Sequence, residues 1–350
     1  MKRQALIMAM LLLFFLSSSR GRCSIFSEDD IERELKMLNK PYVISFKDNY
    51  GVVFDCVDIY KQPAFDHPLL KDHKLQITPS SGSSAGLTAT GERCPNGTVP
   101  IRRTLKEDLV RGRAPSPVYK QMKDTGTING LHSVRAVVGV YPLAVPAGAA
   151  SVSQIRVVDE RPINPTVVQS GWNVDPNLEG DGQSRFVVYW TADDYQHTGC
   201  ANLLCPGFVV MNQAIAPGMA LPMGTTVSIA IQKDASGNWL VFLNKEVVGY
   251  FPGPIVNNMD GGTQIQMGGT VFSPPLVSKS PPMGSGVPPA PGPYNGAAKF
   301  TWVSFHGSKT FTCKMYKDIA NSSIYNWMVT STSPDGPEGV ALQYGGPGGA

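Results

Sequence analysis

From His132 onward, short runs of alternating apolar and polar residues are separated by Gly, Pro and Asn turns. RAVVGVYP, SQIRVVDE, RFVVYWT, GFVVM, TVSIAIQK, NWLVFLN, EVVGYF, TQIQMGGTVF, AKFTWVSF and SIYNWMVT are the candidate strands. Many follow the period of two that lays one face of an antiparallel strand on a core and turns the other outward. In RFVVYWT that period sends Tyr189 and Trp190 to opposite faces. Ala235-Ser236-Gly237-Asn238, between two such runs, predicts a hairpin turn. Many short strands with almost no helical periodicity argue for an all-β fold, a sandwich or a barrel. Residues 273–293, rich in Pro, Gly and Ser, read as a long loop.

The first third reads differently. Ser27 is placed to cap a short helix that brings Ile31, Leu35 and Leu38 to one face. YVISF and GVVFDCVDIY are strand-like, and the small polar stretch Thr78–Thr90 reads as a flexible connection. A basic run, Ile101–Arg113, precedes Ala114-Pro115-Ser116-Pro117. It reads as a solvated linker whose exposed basic bonds are candidate processing sites.

Composition narrows the class. Charged residues make up 16% of the 350, against 36 Gly and 29 Pro, which fits a turn-rich β protein. The net charge of +3 is spread along the chain without a basic stripe, so nucleic acid is not an expected partner. Lys2 and Arg3 precede an apolar run, Ala5–Leu16, and then Ser17, Ser18 and Ser19. That is the plan of a secretory signal, with cleavage expected between Ser19 and Cys23. The run is shorter than the roughly 20 residues needed to span a bilayer, and no later segment approaches that length. The mature chain is therefore expected to be extracellular and free of the membrane.

Cysteine usage suits an oxidising compartment. Cys56 and Cys94 are expected to pair, and Cys200 with Cys205 to close a small loop. Cys23 is expected to leave with the signal, and Cys313 has no obvious partner. No CxxC or HxxxH accompanies them, so neither a metal nor any other cofactor is expected. Asn96-Gly97-Thr98 and Asn321-Ser322-Ser323 are N-glycosylation acceptor triplets.

Several motifs carry a resemblance. DCVDIYKQPAFDHPLLKDHKLQ (Asp55–Gln76) and CPNGTVPIRRT (Cys94–Thr104) resemble the activation-peptide region of the neprosin family of plant proteins. GDGQSRFVVYWTADDYQHTGCANLLCPGF (Gly180–Phe208), MGSG (Met283–Gly286) and YGGPG (Tyr344–Gly348) resemble its peptidase domain. The resemblance implies an antiparallel two-sheet β-sandwich preceded by a smaller mixed α+β prodomain. Domain bounds follow: signal peptide 1–23, prodomain 24–113, linker 114–131 and sandwich 132–350.

Active members of that family are glutamic endopeptidases that cut near proline in acid, with two glutamates facing across a groove. One activates water, and the other supplies a proton and steadies the oxyanion. The family motif E-x-G-W reads here Gln169-Ser170-Gly171-Trp172, and E-W-G-G-E reads Gln266-Met267-Gly268-Gly269-Thr270. Both positions assigned to the dyad are glutamine. An amide donates and accepts hydrogen bonds but cannot take a proton from water, so the pair has no base. Glu179, Asp181, Asp193, Asp194 and Asp260 are the candidate substitutes, and their plainer reading is turn chemistry. His197 and His306 lack a nucleophile signature nearby.

Trp172, Tyr189, Trp190 and Tyr195 read either as core packing or as the lining of a groove for proline rings or sugars. The expected partner is thus an extended proline-containing peptide or a cell-wall component. Family members end with a further cysteine beyond YGGPG. This chain stops at Ala350, which leaves Cys313 unpaired in this reading.

Overall fold

The computed structural model describes residues 28–75, 91–112, 120–121, 130–273, 279–292, 295–307 and 324–349. The signal segment, Cys23, Cys313 and Asn321, with most of the expected linker, lie outside the described residues.

The N-terminal module opens with helix α1 (Glu28–Leu38), which begins on Glu28, Asp29 and Asp30 and ends near Lys36, the charge order that suits the helix dipole. Its buried Ile31 and Leu38 pack with Leu109 and Leu35 in a small cluster. A three-stranded antiparallel sheet follows, β1 (Tyr42–Lys47), β2 (Val53–Asp58) and β3 (Thr98–Arg102), and then a short helix, α2 (Lys106–Gly112). The Cys56–Cys94 disulfide fastens β2 to the segment entering β3.

The strands of the sandwich are β4 (Lys120–Gln121), β5 (Leu131–Gly139), β6 (Ala150–Asp159), β7 (Thr166–Val174), β8 (Arg185–Thr191), β9 (Cys200–Ala201) and β10 (Val209–Val210). They continue as β11 (Thr226–Lys233), β12 (Trp239–Leu243), β13 (Glu246–Phe251), β14 (Gln264–Phe272), β15 (Ala298–Gly307), β16 (Asn326–Ser331) and β17 (Ala341–Gly345). A one-turn helix, α3 (Pro176–Glu179), joins β7 to β8 and is capped by Asp175. Eight strands make one sheet, in the order β10-β13-β12-β11-β5-β15-β17-β16. Six make the other, β4-β14-β6-β7-β8-β9. The core lies between the sheets, with Val134, Ala136 and Val138 from one side meeting Ile155, Val157, Trp172 and Val188 from the other. The expected all-β antiparallel sandwich with a smaller α+β module ahead of it is the architecture observed.

The hairpin predicted at 235–238 joins β11 to β12, where Asp234 Oδ1 accepts from the backbone N–H of Ser236 and Asn238. Two strands escape the alternation pattern. β7, sequence TVVQSGWNV, is buried at every position, so no polar face marks it. β17, sequence ALQYG, is likewise wholly buried. β6 and β8 are buried at every position too, so burial on both sides does not by itself hide a strand.

The basic run corrects an expectation. Ile101 is buried, Arg102 pairs with the fully buried side chain of Glu179, and Arg103 pairs with Asp55. Its first residues are structural, not a solvated linker.

Candidate active site

Register fixes the geometry of the central strands. Gln266 on β14 lies opposite Arg156 on β6, Arg156 opposite Gln169 on β7, and Gln169 opposite Tyr189 on β8. Residues opposite one another in antiparallel strands project to the same side, with Cβ atoms about 5 Å apart. The four side chains therefore form one row across four strands, on the face turned away from the core. The two sequence-predicted glutamines are in the same row, two strands apart.

Period two fills out that face. Gln264, Gly268 and Thr270 flank Gln266 on β14. Val152, Gln154 and Val158 flank Arg156 on β6, and Val167, Gly171 and Asn173 flank Gln169 on β7. Arg185, Val187 and Thr191 flank Tyr189 on β8. No position on this face of the four strands carries a carboxylate. The members of Gln266–Thr270 on this face, Gln266, Gly268 and Thr270, are all neutral.

The polar side chains of the row are buried: Gln169 is 5% exposed, Gln266 4% and Arg156 6%. Gln266 Nε2 donates to Gln264 Oε1 at 3.2 Å, and Gln264 Nε2 donates in turn to Glu160 Oε2. Glu160 is thus the nearest acid in this chain of contacts, two hydrogen bonds from Gln266 and beyond the end of β6. Gln154 Nε2 donates to Thr270 Oγ1 at 3.1 Å. Gln266 Oε1 and Asn173 Oδ1 are buried acceptors with no hydrogen-bond donor among the described residues. A small recess lined by Gln154, Arg156, Gln266, Gly268 and Thr270 opens beside them.

The motif glycines explain how this surface is supported. A Cβ on Gly171 would stand 2.0 Å from the Ser153 carbonyl oxygen, so glycine is what lets β7 close onto β6 beside the row. A Cβ on Gly269 would collide with Met283 at 2.3 Å and crowd the Tyr344 ring. Met283 pairs with Gly346, and the Tyr344 hydroxyl donates to Ser153 Oγ at 2.6 Å. QMGGT, MGSG and YGGPG therefore meet on the core side of the six-stranded sheet. Burial raises the Tyr344 phenol well above its ordinary range, which keeps it a neutral donor there.

The aromatic residues divide. Tyr189 is in the row, with its hydroxyl 3.4 Å from Asn173 Nδ2. Trp172 and Trp190 face the core, the packing alternative of the two readings and not the groove-lining one, and Trp190 is on the opposite face from Tyr189, as the alternation in RFVVYWT requires. Trp172 is fully buried and its indole N–H donates to the Gly139 carbonyl at 2.9 Å. Tyr195 lies in the turn after β8 with φ of 61°, outside the row. The Cys200–Cys205 disulfide closes the loop next to it, at the β9 end of the sheet.

None of the five candidate substitutes lies on this face. Glu179 is an ion-pair partner of Arg102, not a turn former, and burial raises its pKa despite the pull of Arg102 and Arg185. Asp181 pairs with Arg185, and Asp260 pairs with Lys233. Asp193 accepts from Thr198 and from the His197 backbone, bonds that hold its carboxyl below the usual range despite some desolvation. Asp194 is a turn residue with φ of 57°. His197 is exposed, and His306 lies on β15 in the opposite sheet. Asn96 is exposed, as a glycan acceptor requires.

Arg156 and Gln154 were not singled out from the sequence. The signal was present in SQIRVVDE, where alternation puts Gln154 and Arg156 on one face, but only the pairing with β7 and β14 places them between the two dyad positions. Among the described residues no group of His, Cys, Asp and Glu is arranged to hold a metal ion, and no helix is long and apolar enough to cross a membrane.

A family model described as Neprosin matches residues 147–347, and one described as Neprosin activation peptide matches residues 45–133. Among solved structures, the chain is similar to scytalido-glutamic peptidase in complex with a peptide-based transition-state analogue. That match has 12% identity over 65% of this chain and 98% of the other, with a TM-score of 0.37. SCP-B, a member of the eqolisin family of peptidases in complex with a tripeptide, matches at 10% identity over 65% and 98%, with a TM-score of 0.35. An alginate lyase from Pseudomonas aeruginosa matches at 10% identity over 80% and 90%, with a TM-score of 0.31.

Proposed function

Since this chain belongs to the neprosin family, we propose that it is a secreted member in which the groove of a proline-directed glutamic endopeptidase is kept without the means to hydrolyse. One observation carries this reading: the row Gln266, Arg156, Gln169 and Tyr189, and the face around it on β6, β7, β8 and β14, contain no carboxylate. Peptide hydrolysis in acid needs a group that removes a proton from water as it attacks, and a second that returns one to the leaving nitrogen. A primary amide has no proton affinity for the first task. Losing general-base catalysis alone costs about 10²–10⁴ in rate.

What the face retains is recognition. Amide donors and acceptors, the Arg156 guanidinium and the Tyr189 hydroxyl supply hydrogen bonds for an extended proline-containing peptide or a cell-wall component, the second arginine of the face, Arg185, being engaged by Asp48 and Asp181. The unsatisfied acceptors Gln266 Oε1 and Asn173 Oδ1 offer sites for its N–H or O–H groups. The signal segment and the acceptor triplets at Asn96 and Asn321 support an extracellular, glycosylated product.

The test is incubation of the purified protein with a proline-rich protein at about pH 3–5, the range suited to carboxylate chemistry, followed by mass spectrometry of the digest. No cleavage above the blank is expected. Cleavage after proline that Gln169→Ala abolishes would sink the proposal.

A further inference from the structure

We infer that residues 28–112 are a permanent subunit of this fold, and that cutting the chain between this module and the sandwich leaves the two pieces associated. The inference is independent of whether the groove has any activity.

The first support is a shared core. The module's own hydrophobic cluster is small, Ile31, Leu38 and Leu109 with Leu35 beside them. Its other buried apolar residues, Phe54, Val57, Ile59, Leu70, Val99 and Ile101, belong to the same continuous cluster as the sandwich core, at 0–4% exposure. A segment built to leave would uncover a large apolar surface on both pieces.

The second support is charge. Arg185, at the start of β8, is fully buried; its Nη1 donates to Asp48 Oδ2 of the module at 2.8 Å and to the Gly218 carbonyl at 2.7 Å. Glu179 of α3 is also buried, and Arg102 of β3 donates to its carboxylate and, at 2.8 Å, to its backbone carbonyl. Arg102 reaches it by lying against Gly218, where a Cβ would stand 2.9 Å from the arginine Cδ. Buried Glu179 thus has its cation, Arg102, in the module, while Arg185 shares its charge between Asp48 of the module and Asp181 of its own domain. Removing one partner of such a pair leaves the other uncompensated in a desolvated site.

The third support is an edge. β10 is the outermost strand of the eight-stranded sheet. Gln62 closes it with both ends of its amide, Nε2 donating to the Val210 carbonyl at 3.0 Å and Oε1 accepting from the Val210 N–H at 2.7 Å. The Cys94 N–H donates to the Gln213 carbonyl just beyond. Without the module the strand would present unpaired backbone groups, a template for aggregation.

The experiment replaces residues 114–118 of the full chain with the recognition sequence of a site-specific protease, in a Cys23→Ser/Cys313→Ser background. After complete cleavage the sample is run on size exclusion at pH 7. The two fragments are expected to coelute at the position of the uncut protein and to unfold in one transition. Elution of the N-terminal fragment by itself under these native conditions, whatever becomes of the sandwich, overturns the inference. An Arg102→Met version of the cut protein measures the anchoring, and its fragments are expected to dissociate at least about 30-fold more readily. If that version holds together as tightly as the parent, the Arg102–Glu179 pair is not an anchor, which overturns the electrostatic part of the inference.

Discussion

Putting glutamate back at both dyad positions is not sufficient for activity at the pH where two carboxylates would normally divide the work of base and acid. Gln169→Glu with Gln266→Glu places a carboxylate on each side of Arg156, each one strand away in the same row. At about 5 Å and an effective dielectric near 20, each attraction is worth about 3 kcal/mol, or roughly two pKa units. The row is buried, so solvent screens this little. Burial and the mutual repulsion of the two carboxylates oppose that attraction, as burial does at Glu179; where the Arg156 attraction leads, both glutamates are held below their ordinary range, ionised at pH 4 and unable to donate. The double variant is therefore expected to cleave a proline-containing fluorogenic peptide weakly, with an optimum below about pH 3. Adding Arg156→Met should raise the optimum by about 1–2 pH units and kcat/KM at pH 4 by at least tenfold, on the same electrostatic grounds. The readout is kcat/KM from pH 2.5 to 6 for parent, double and triple variants, with circular dichroism to show that each is folded. An optimum near pH 4 in the double variant that Arg156→Met leaves in place would refute the electrostatic reasoning. A folded triple variant without activity would show that the groove lacks more than its carboxylates.

Further outcomes can be checked by unfolding measurements. Trp172→Ala, which empties a fully buried site and orphans the Gly139 carbonyl, should cost about 3–5 kcal/mol in urea unfolding, while Tyr189→Phe should cost under about 1. Cys56 and Cys94 are 38 residues apart and Cys200 and Cys205 only 5. Loop-closure entropy then makes loss of the first bridge worth about 4 kcal/mol and of the second about 2; equal losses would contradict it. Burial raises the folded-state pKa of Glu179 above its ordinary 4.5, so the folded chain holds that proton more tightly than the unfolded one. Its contribution to stability is full below 4.5 and is lost as pH rises through the folded value. Glu179→Gln should flatten the fall in Tm from pH 4.5 to neutrality, and an unchanged slope would speak against it.

The sandwich was legible because strands such as TVSIAIQK keep one face partly exposed, and because RFVVYWT, though buried throughout, is dense in β-branched and aromatic residues. β7 was not, although it carries Gln169 and Trp172: its run is interrupted by Ser170, Gly171 and Asn173, whereas β8, equally buried, is an unbroken β-branched and aromatic stretch after Arg185. The dyad positions were found through motif wording, and their meeting in one row follows from register, which a single strand does not encode. Arg156 illustrates the remaining limit. Its position within SQIRVVDE is ordinary, and its place between two glutamines exists only once β14, β6 and β7 are paired. Arg102 and Glu179 were misread for a similar reason: a basic run and an acidic turn look solvated until the fold buries them against each other.

The central claim is that this groove does not activate water. The most direct measurement is oxygen exchange, which needs no net cleavage. The wild-type protein is incubated at pH 4 in ¹⁸O-enriched water with a peptide ending in a free proline carboxylate, and the peptide's mass is followed over time. A site with a working base exchanges the carboxyl oxygens by adding labelled water to the protonated carboxyl carbon and expelling an original oxygen as water from the tetrahedral adduct. The account predicts exchange no faster than in buffer alone; faster exchange that Gln169→Ala or Gln266→Ala removes would contradict it.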